Sequence, residues 1–320
     1  MHDDAFRRLV EPHRAELHAH CYRMLGSVHD AEDALQDALL RAWRGLPGFA
    51  GRSSPRHWLY RIATNACLDV VARRPKRVLP LDYGPPADRP HETEPLEESV
   101  WVEPYSEEVE DGFAVPDARY ERRESVELAF VAAVQLLPPR QRAVLILREV
   151  LGFSAREVAE SLETSVPSVT SALQRARKTL DERLPARSQQ ATLRSLGDER
   201  IRSLVERYMD AMERADLDAV LELLAEDATW SMPPEPIWFR GHEAIARFLS
   251  EWPFRLRWRH VRARASGQLA VGCYAWNADT GSYVAEALDV LTVGGDRIAA
   301  ITAFRNVEIF PRFGLARELP

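Results

Sequence analysis

Cysteine is scarce in this chain: Cys21, Cys67 and Cys273 are three among 320 residues. They are odd in number, far apart and form no CxxC pair. That excludes a disulfide framework and a zinc knuckle, and it fits a reducing, cytoplasmic setting. No run approaches the roughly 20 apolar residues of a membrane span. The start, MHDDAFRR, is acidic and lacks the apolar centre of a secretion signal. His13, His18 and His20 cluster with Cys21. On a helix only His18 and Cys21 share a face, short of the about four converging ligands zinc requires. We expect no metal, no cofactor and no membrane partner.

Basic charge is also in deficit, with a net charge of −7, which spread evenly would argue against nucleic acid. It is not spread evenly. Between Asp82 and Ala118 twelve acids face one base, Arg89, so this stretch carries −11 and the rest of the chain +4. The same stretch is rich in proline, with Pro80, Pro85, Pro86, Pro90, Pro95, Pro104 and Pro116 in or beside it. An acidic, proline-rich segment over 76–121 is expected to be extended and mobile. It separates a helical block at 1–75 from a second at 122–187. A polar joint, Ser188 to Thr192, leads to a third block at 198–320.

The second block carries the most specific pattern, FSAREVAESLETSVPSVTSALQRARKTLDERL at 153–184. Ser154 can cap a helix that turns Val158, Ala159 and Leu162 inward. Glu163 to Ser165 makes a three-residue turn. A second helix turns Val169, Leu173, Ala176 and Leu180 inward, with Pro167 in its first turn, where a missing N–H costs little. Ser168, Thr170, Ser171, Gln174, Arg175 and Lys178 then face outward, with Arg177 beside them. Such a helix suits the edges of bases and the phosphates of a major groove.

The first block contains HDAEDALQDALLRAW at 29–43, where Asp30, Glu32, Asp33 and Asp37 place four acids within eight positions. Asp30, Asp33 and Asp37 recur at one helical face, and Gln36 adjoins them. Ala31, Leu35, Ala38 and Ala42 form the opposite, apolar stripe.

Together the two blocks resemble bacterial sigma-70-family factors of the extracytoplasmic-function group. HCYRMLGSVHDAEDALQDALLRAWRGLPGFAGRSSPRHWLYRIATNACLDVVARR is similar to sigma region two, and LLPPRQRAVLILREVLGFSAREVAESLETSVPSVTSALQRARKTL to region four. The resemblance implies that Asp30, Asp33, Gln36 and Asp37 dock on core RNA polymerase. It also implies that Phe49 and Asn65 hold a base of the −10 element while Arg61, Arg73 and Arg74 meet phosphates. The outward residues of the second block would read the −35 element of promoter DNA, and the acidic connector would thread a polymerase channel. Two departures stand out. Glu163 occupies a turn position where relatives often carry glycine, and Thr170 and Ala172 replace frequently basic residues.

The third block opens with two helices, roughly Asp198 to Arg214 and Leu217 to Leu224, and then changes period to two. Leu269–Trp276, Tyr283–Val293 and Ile298–Phe310 read as strands. LVERYMDAMERADLDAVLELLAEDATWSMPP with FRGHEAIARFL resembles the SnoaL-like, nuclear-transport-factor-type fold, a cone with a cavity. The fold class expected is therefore multidomain: two all-α modules followed by an α+β cone with a curved antiparallel sheet. Trp230, Trp258, His260, Tyr274, Trp276 and Asp289 are the candidate pocket residues for a small-molecule ligand, with Glu286 and Tyr283 nearby. Enzymes share this fold, so an isomerase or cyclase with Asp289 as base remains open, as does a stand-alone helix-turn-helix regulator. The leading reading is a sigma factor modulated in cis by its third domain.

Overall fold

The computed structural model describes all residues except 1, 50, 52, 75, 92, 98–99 and 107–123. The chain divides into two compact units. One joins Met1–Arg77 with Glu108–Pro185, and the other joins Val78–Glu107 with Ala186–Pro320.

The first unit begins with α1 (His2–Val10), α2 (Arg14–Leu25), α3 (Val28–Gly45) and α4 (Pro55–Val71). Each boundary has a local cause. Ser27 caps α3 through the amide of Asp30, and Ser54 caps α4 with Pro55 just inside it. Ala31, Ala34, Leu35, Ala38 and Ala42 bury one face of α3. The small side chains let α2 and α4 approach that face closely. Gly26 ends α2 at φ 70°, and a Cβ there would lie 3.1 Å from Gln135. Glycine is therefore required twice, for the left-handed backbone and for the close approach of the second helical block.

After a single helical turn, α5 (Pro80–Tyr83), the second helical block comprises α6 (Leu128–Gln135), α7 (Pro139–Leu145, continued by a π-turn to Val150), α8 (Ala155–Ser161) and α9 (Val166–Arg183). It packs on the first block inside one unit. Arg142, 2% exposed, donates to the carbonyls of Met24 and Gln135 and to the Gln135 side chain. Burial without a carboxylate partner lowers its pKa to about 10. Gln135 donates to the Arg23 carbonyl at 3.0 Å, Arg23 to Ser125 at 2.7 Å, and His57 Nε2 lies 2.8 Å from Ser161 Oγ.

Ser154 and Glu157 form a reciprocal capping box at the start of α8, and Val169, Leu173, Ala176 and Leu180 are the buried residues of α9. The turn between the two helices does use a left-handed residue, Glu163 at φ 50°. A side chain there costs on the order of 1 kcal/mol. Glu163→Gly is expected to stabilise this unit by about 1 kcal/mol, read as a higher denaturant midpoint.

The second unit is built from α10 (Gln189–Leu196), α11 (Asp198–Glu213), α12 (Leu217–Leu223), α13 (Gly241–Glu251) and a sheet. Its strands are β1 (Leu224–Ser231), β2 (Trp238–Arg240), β3 (Trp258–Ala265), β4 (Gln268–Asn277), β5 (Ser282–Gly294), β6 (Arg297–Phe304) and β7 (Glu318–Leu319). The order is β2-β1-β6-β5-β4-β3, with β7 beside β5. All neighbours are antiparallel except β1 and β6, which run parallel. The sheet is thus mixed, because α13 carries the chain across before β3 begins. The stretch expected as a polar joint is largely helical: Ser188 caps α10, and the Gln189 side chain pairs with both main-chain groups of Val293.

The connector is expected to be extended and mobile, yet its described residues over 78–106 are hydrogen-bonded to the second unit. Val78 bridges to Trp101. Ala87 N–H donates to the Trp238 carbonyl at 2.8 Å, and Trp238 Nε1 returns a bond to Gly84 at 2.8 Å. Leu96 N–H and Trp101 Nε1 both reach the Pro234 carbonyl, at 3.1 and 2.9 Å. Tyr105 and Ser266 exchange two further bonds. Trp101, Val102 and Tyr105 are buried. Proline and acid suppress helix and sheet, but the segment is still held, by Gly84 and Ala87 at β2, by Leu96 and Trp101 at Pro234 and by Tyr105 at Ser266. The remainder of the acidic stretch, 107–123, lies outside the described residues.

Candidate functional site

Three surfaces and one cavity hold the residues singled out in the sequence. On α3, Asp33 and Gln36 are exposed and Asp37 is half-buried. Asp33 is 3.9 Å from His29, and Asp37 pairs with Arg41 at 2.6 Å, which also holds Asp69 at 2.9 Å. Asp30 does not belong to this row. Its side chain is 2% exposed and is held by Arg77 at 2.8 Å and by Arg74. One turn from the helix start, the i, i+3, i+7 face is already curving toward the core. A carboxylate there persists only because two guanidiniums neutralise it. Arg74, 44% exposed, is committed to Asp30, while Arg73 is exposed as well.

On α4, Trp58, Arg61 and Asn65 follow one another at i, i+3 and i+7, with Arg61 and Asn65 exposed and Trp58 8% exposed. Phe49 stacks on Trp58, ring centroids 4.7 Å apart. Phe49, Arg61 and Asn65 therefore fall along one strip. On α9, Ser168, Thr170, Ser171, Gln174, Arg175 and Lys178 are all exposed. Arg177 is turned aside to Glu149. Thr170 also back-bonds to the Val166 carbonyl at 3.1 Å.

The cone contains a cavity of about 340 Å³. Trp230, Met232, Phe248, Trp252 and Trp258 supply apolar walls, while His260, Asp289, Glu286 and Arg305 supply the polar end. Register explains the membership. His260 lies opposite Cys273, which lies opposite Ala287, and Asp289 is two residues on, so all share one face. A bulge beside Cys273 makes Glu286 the extra residue, so it and Ala287 both reach the cavity.

Tyr274 and Trp276 are on the other face and do not line the cavity. Tyr274 donates to the Ala316 carbonyl at 2.8 Å and meets Phe310 edge-on, while Trp276 packs on Tyr283. Burial pushes the Asp289 carboxyl above its usual range, opposed by donation from Tyr208 at 2.6 Å. The His260 side chain is fully buried. Its main-chain N–H donates to Glu213 at 2.7 Å and Nδ1 is 3.4 Å from the same carboxylate, but neither ring nitrogen, Nδ1 nor Nε2, has a hydrogen-bond partner among the described residues. Sequence reasoning missed Met232, Phe248, Trp252 and Arg305. Phe248 and Trp252 share a helical face and could have been found; Arg305 enters only through its ion pairs with Glu235 and Glu286 across strands.

Two helical modules are followed by an α+β cone, and each of the three matches a known family. The description Sigma-70 region 2 matches residues 9–77, Sigma-70, region 4 matches 127–180, and SnoaL-like domain matches 205–301. The chain is 42% identical over 320 residues to the ECF RNA polymerase sigma factor SigG of Mycobacterium tuberculosis, covering 98% of this chain and 85% of that one. It is 31% identical over 183 residues to SigW of Bacillus subtilis, covering 57% and 89%. The solved structure of M. tuberculosis SigJ shares the fold, with a TM-score of 0.62 at 23% identity over 96% of this chain and all of that one. The chain belongs to the extracytoplasmic-function sigma factors, directing promoter recognition by RNA polymerase; it is an initiation factor, not an enzyme. No helix among the described residues is long and apolar enough to cross a membrane.

Proposed function

We propose that this sigma factor engages core polymerase through Asp33, Gln36 and Asp37, holds the −10 strand with Phe49, Arg61, Asn65 and Arg73, and reads the −35 duplex with α9. Carboxylates facing a basic partner set register and on-rate. An aromatic strip with cations suits an unstacked strand, and the polar face of α9 suits a major groove. The SnoaL-like cone restrains this activity in cis by holding the connector between the two promoter-reading halves. The observation that carries the restraint is the clasp of 78–106 on the cone, where the Pro234 carbonyl alone receives two connector bonds.

Trp101→Ala tests it, because the indole is buried and donates to Pro234. With core polymerase in a reconstituted assay, the variant is expected to raise promoter-specific transcription at least threefold at equal protein, and deletion of 186–320 to raise it as much. Unchanged transcription in both would reject the restraint while leaving the sigma activity intact.

A further inference from the structure

We propose that the cone cavity is a regulatory site for an uncharged ring compound bearing one hydroxyl, and that its occupancy tightens the hold on the connector. The inference rests on the reading that the cone restrains the connector in cis.

The ligand class follows from the walls. Three indoles, Trp230, Trp252 and Trp258, frame a space of about 340 Å³, which suits a bicyclic ring system. His260 supplies the polar anchor. Its ring is wholly buried at the cavity, and Nε2 lacks a partner among the described residues. A buried ring nitrogen left unbonded is costly and calls for a partner. A hydroxyl, which both donates and accepts, serves whichever tautomer is present.

The charges argue against an ionic ligand. Asp289 already receives the Tyr208 hydroxyl, and Glu286 already holds Arg305. A carboxylate would enter beside two acids, and a cation would surrender its hydration without finding an uncommitted counter-charge.

The connection to the connector is structural. Met232 and Arg305 line the cavity. The next residues, Pro233 to Glu235, form the turn that the connector grips. Arg305 N–H donates to the Pro233 carbonyl at 2.9 Å, and its guanidinium holds Glu235 at 2.8 Å. The Pro234 carbonyl accepts Leu96 N–H and Trp101 Nε1. One short segment therefore presents its inner side to the cavity and its outer side to the connector. A ligand packed on Met232 and Arg305 gains those contacts only while the turn holds its clasping geometry. Binding and clasping are thus coupled, and the coupling is reciprocal.

The experiment uses the purified full-length chain and four probes: 2-naphthol, naphthalene, 2-naphthoate and 1-naphthylmethylammonium. Binding is read by indole fluorescence and calorimetry, and clasping by hydrogen exchange at the Ala87 and Leu96 amides. We expect 2-naphthol to bind at least tenfold tighter than each of the others and, at saturation, to slow exchange at both amides at least threefold. His260→Gln should reduce its advantage over naphthalene. Trp101→Ala, loosening the clasp from the far side, should weaken 2-naphthol at least threefold. Absence of binding by every probe, equal or tighter binding of either charged probe, or unchanged or faster exchange overturns the proposal. The wild-type measurements decide it even where a variant does not fold. Because no polymerase is present, failure here is distinct from failure of the restraint, which shows as unchanged transcription.

Discussion

Asp30→Ala is expected to destabilise the first unit by about 3 kcal/mol or more, whereas Asp33→Ala and Asp37→Ala change its stability by about 0.5 kcal/mol or less. Removing one member of a buried ion pair strands the other, a loss of roughly 3–5 kcal/mol in comparable cases. Here the stranded group is Arg77, 6% exposed, with Arg74 as a half-exposed second partner. The lower end of the range is appropriate because Arg74 can turn to solvent. Asp33 and Asp37 sit in water-screened pairs that contribute little to stability. Binding to core polymerase should show the opposite ranking among the folded proteins: Asp33→Ala and Asp37→Ala weaken it several-fold, most at low salt. Denaturant unfolding of the first unit and polymerase pulldown at two salt concentrations measure the two effects. Equal stability loss at all three positions would mean that Asp30 is not the structural member of the row.

The second large effect concerns the first unit as a whole. About 155 residues packed together have a radius of gyration near 15 Å. Elements centred at −10 and −35 are about 25 base pairs apart, or about 85 Å of duplex. The packed unit is too small to touch both, so if the two helical blocks contact them as proposed, the blocks part on the promoter. Arg142, Gln135, His57 and Gly26 form the contacts that would then break. Dyes on Glu11→Cys and Glu182→Cys, both exposed and outside the proposed DNA contacts, in a chain with its three native cysteines replaced, should report a distance increase of several tens of ångströms on forming the polymerase–promoter complex. An unchanged distance would sink this expectation. Arg142 is suited to a junction that must open. Its bonds go to main-chain carbonyls and a glutamine, so water can replace each of them as the blocks part.

How much of this was legible beforehand divides by range of interaction. Helix caps at Ser154, the inward stripe of α9 and the outward polar face are local, and spacing alone places them. The β4 and β5 strands show their period of two. β1 and β2 do not, since Leu224–Ser231 carries adjacent acids at its start and Trp238–Arg240 is only three residues long. Asp30 illustrates the harder case. Its helical phase matches Asp33 and Asp37, but its burial depends on Arg77, 47 residues away. The pocket list failed at Tyr274 and Trp276 for a related reason. Their common face was legible, but which face the cone encloses depends on how β3, β4 and β5 pair. The connector shows the limit of composition: proline and acid describe what a segment avoids, not what Trp101 and Tyr105 can bind.

The bridge between Val78 and Trp101 has a geometric consequence for reach. Paired backbones lie about 5 Å apart, so the bridge folds the intervening residues out as a loop that adds almost nothing to the tether. From Arg77 to Glu124 an unclasped connector could extend about 160 Å at full stretch, while the looped one could extend only about 80 Å. Under the proposed restraint the bridge would act as a reef taken in a rope, leaving both ends of the tether intact and halving the slack between them.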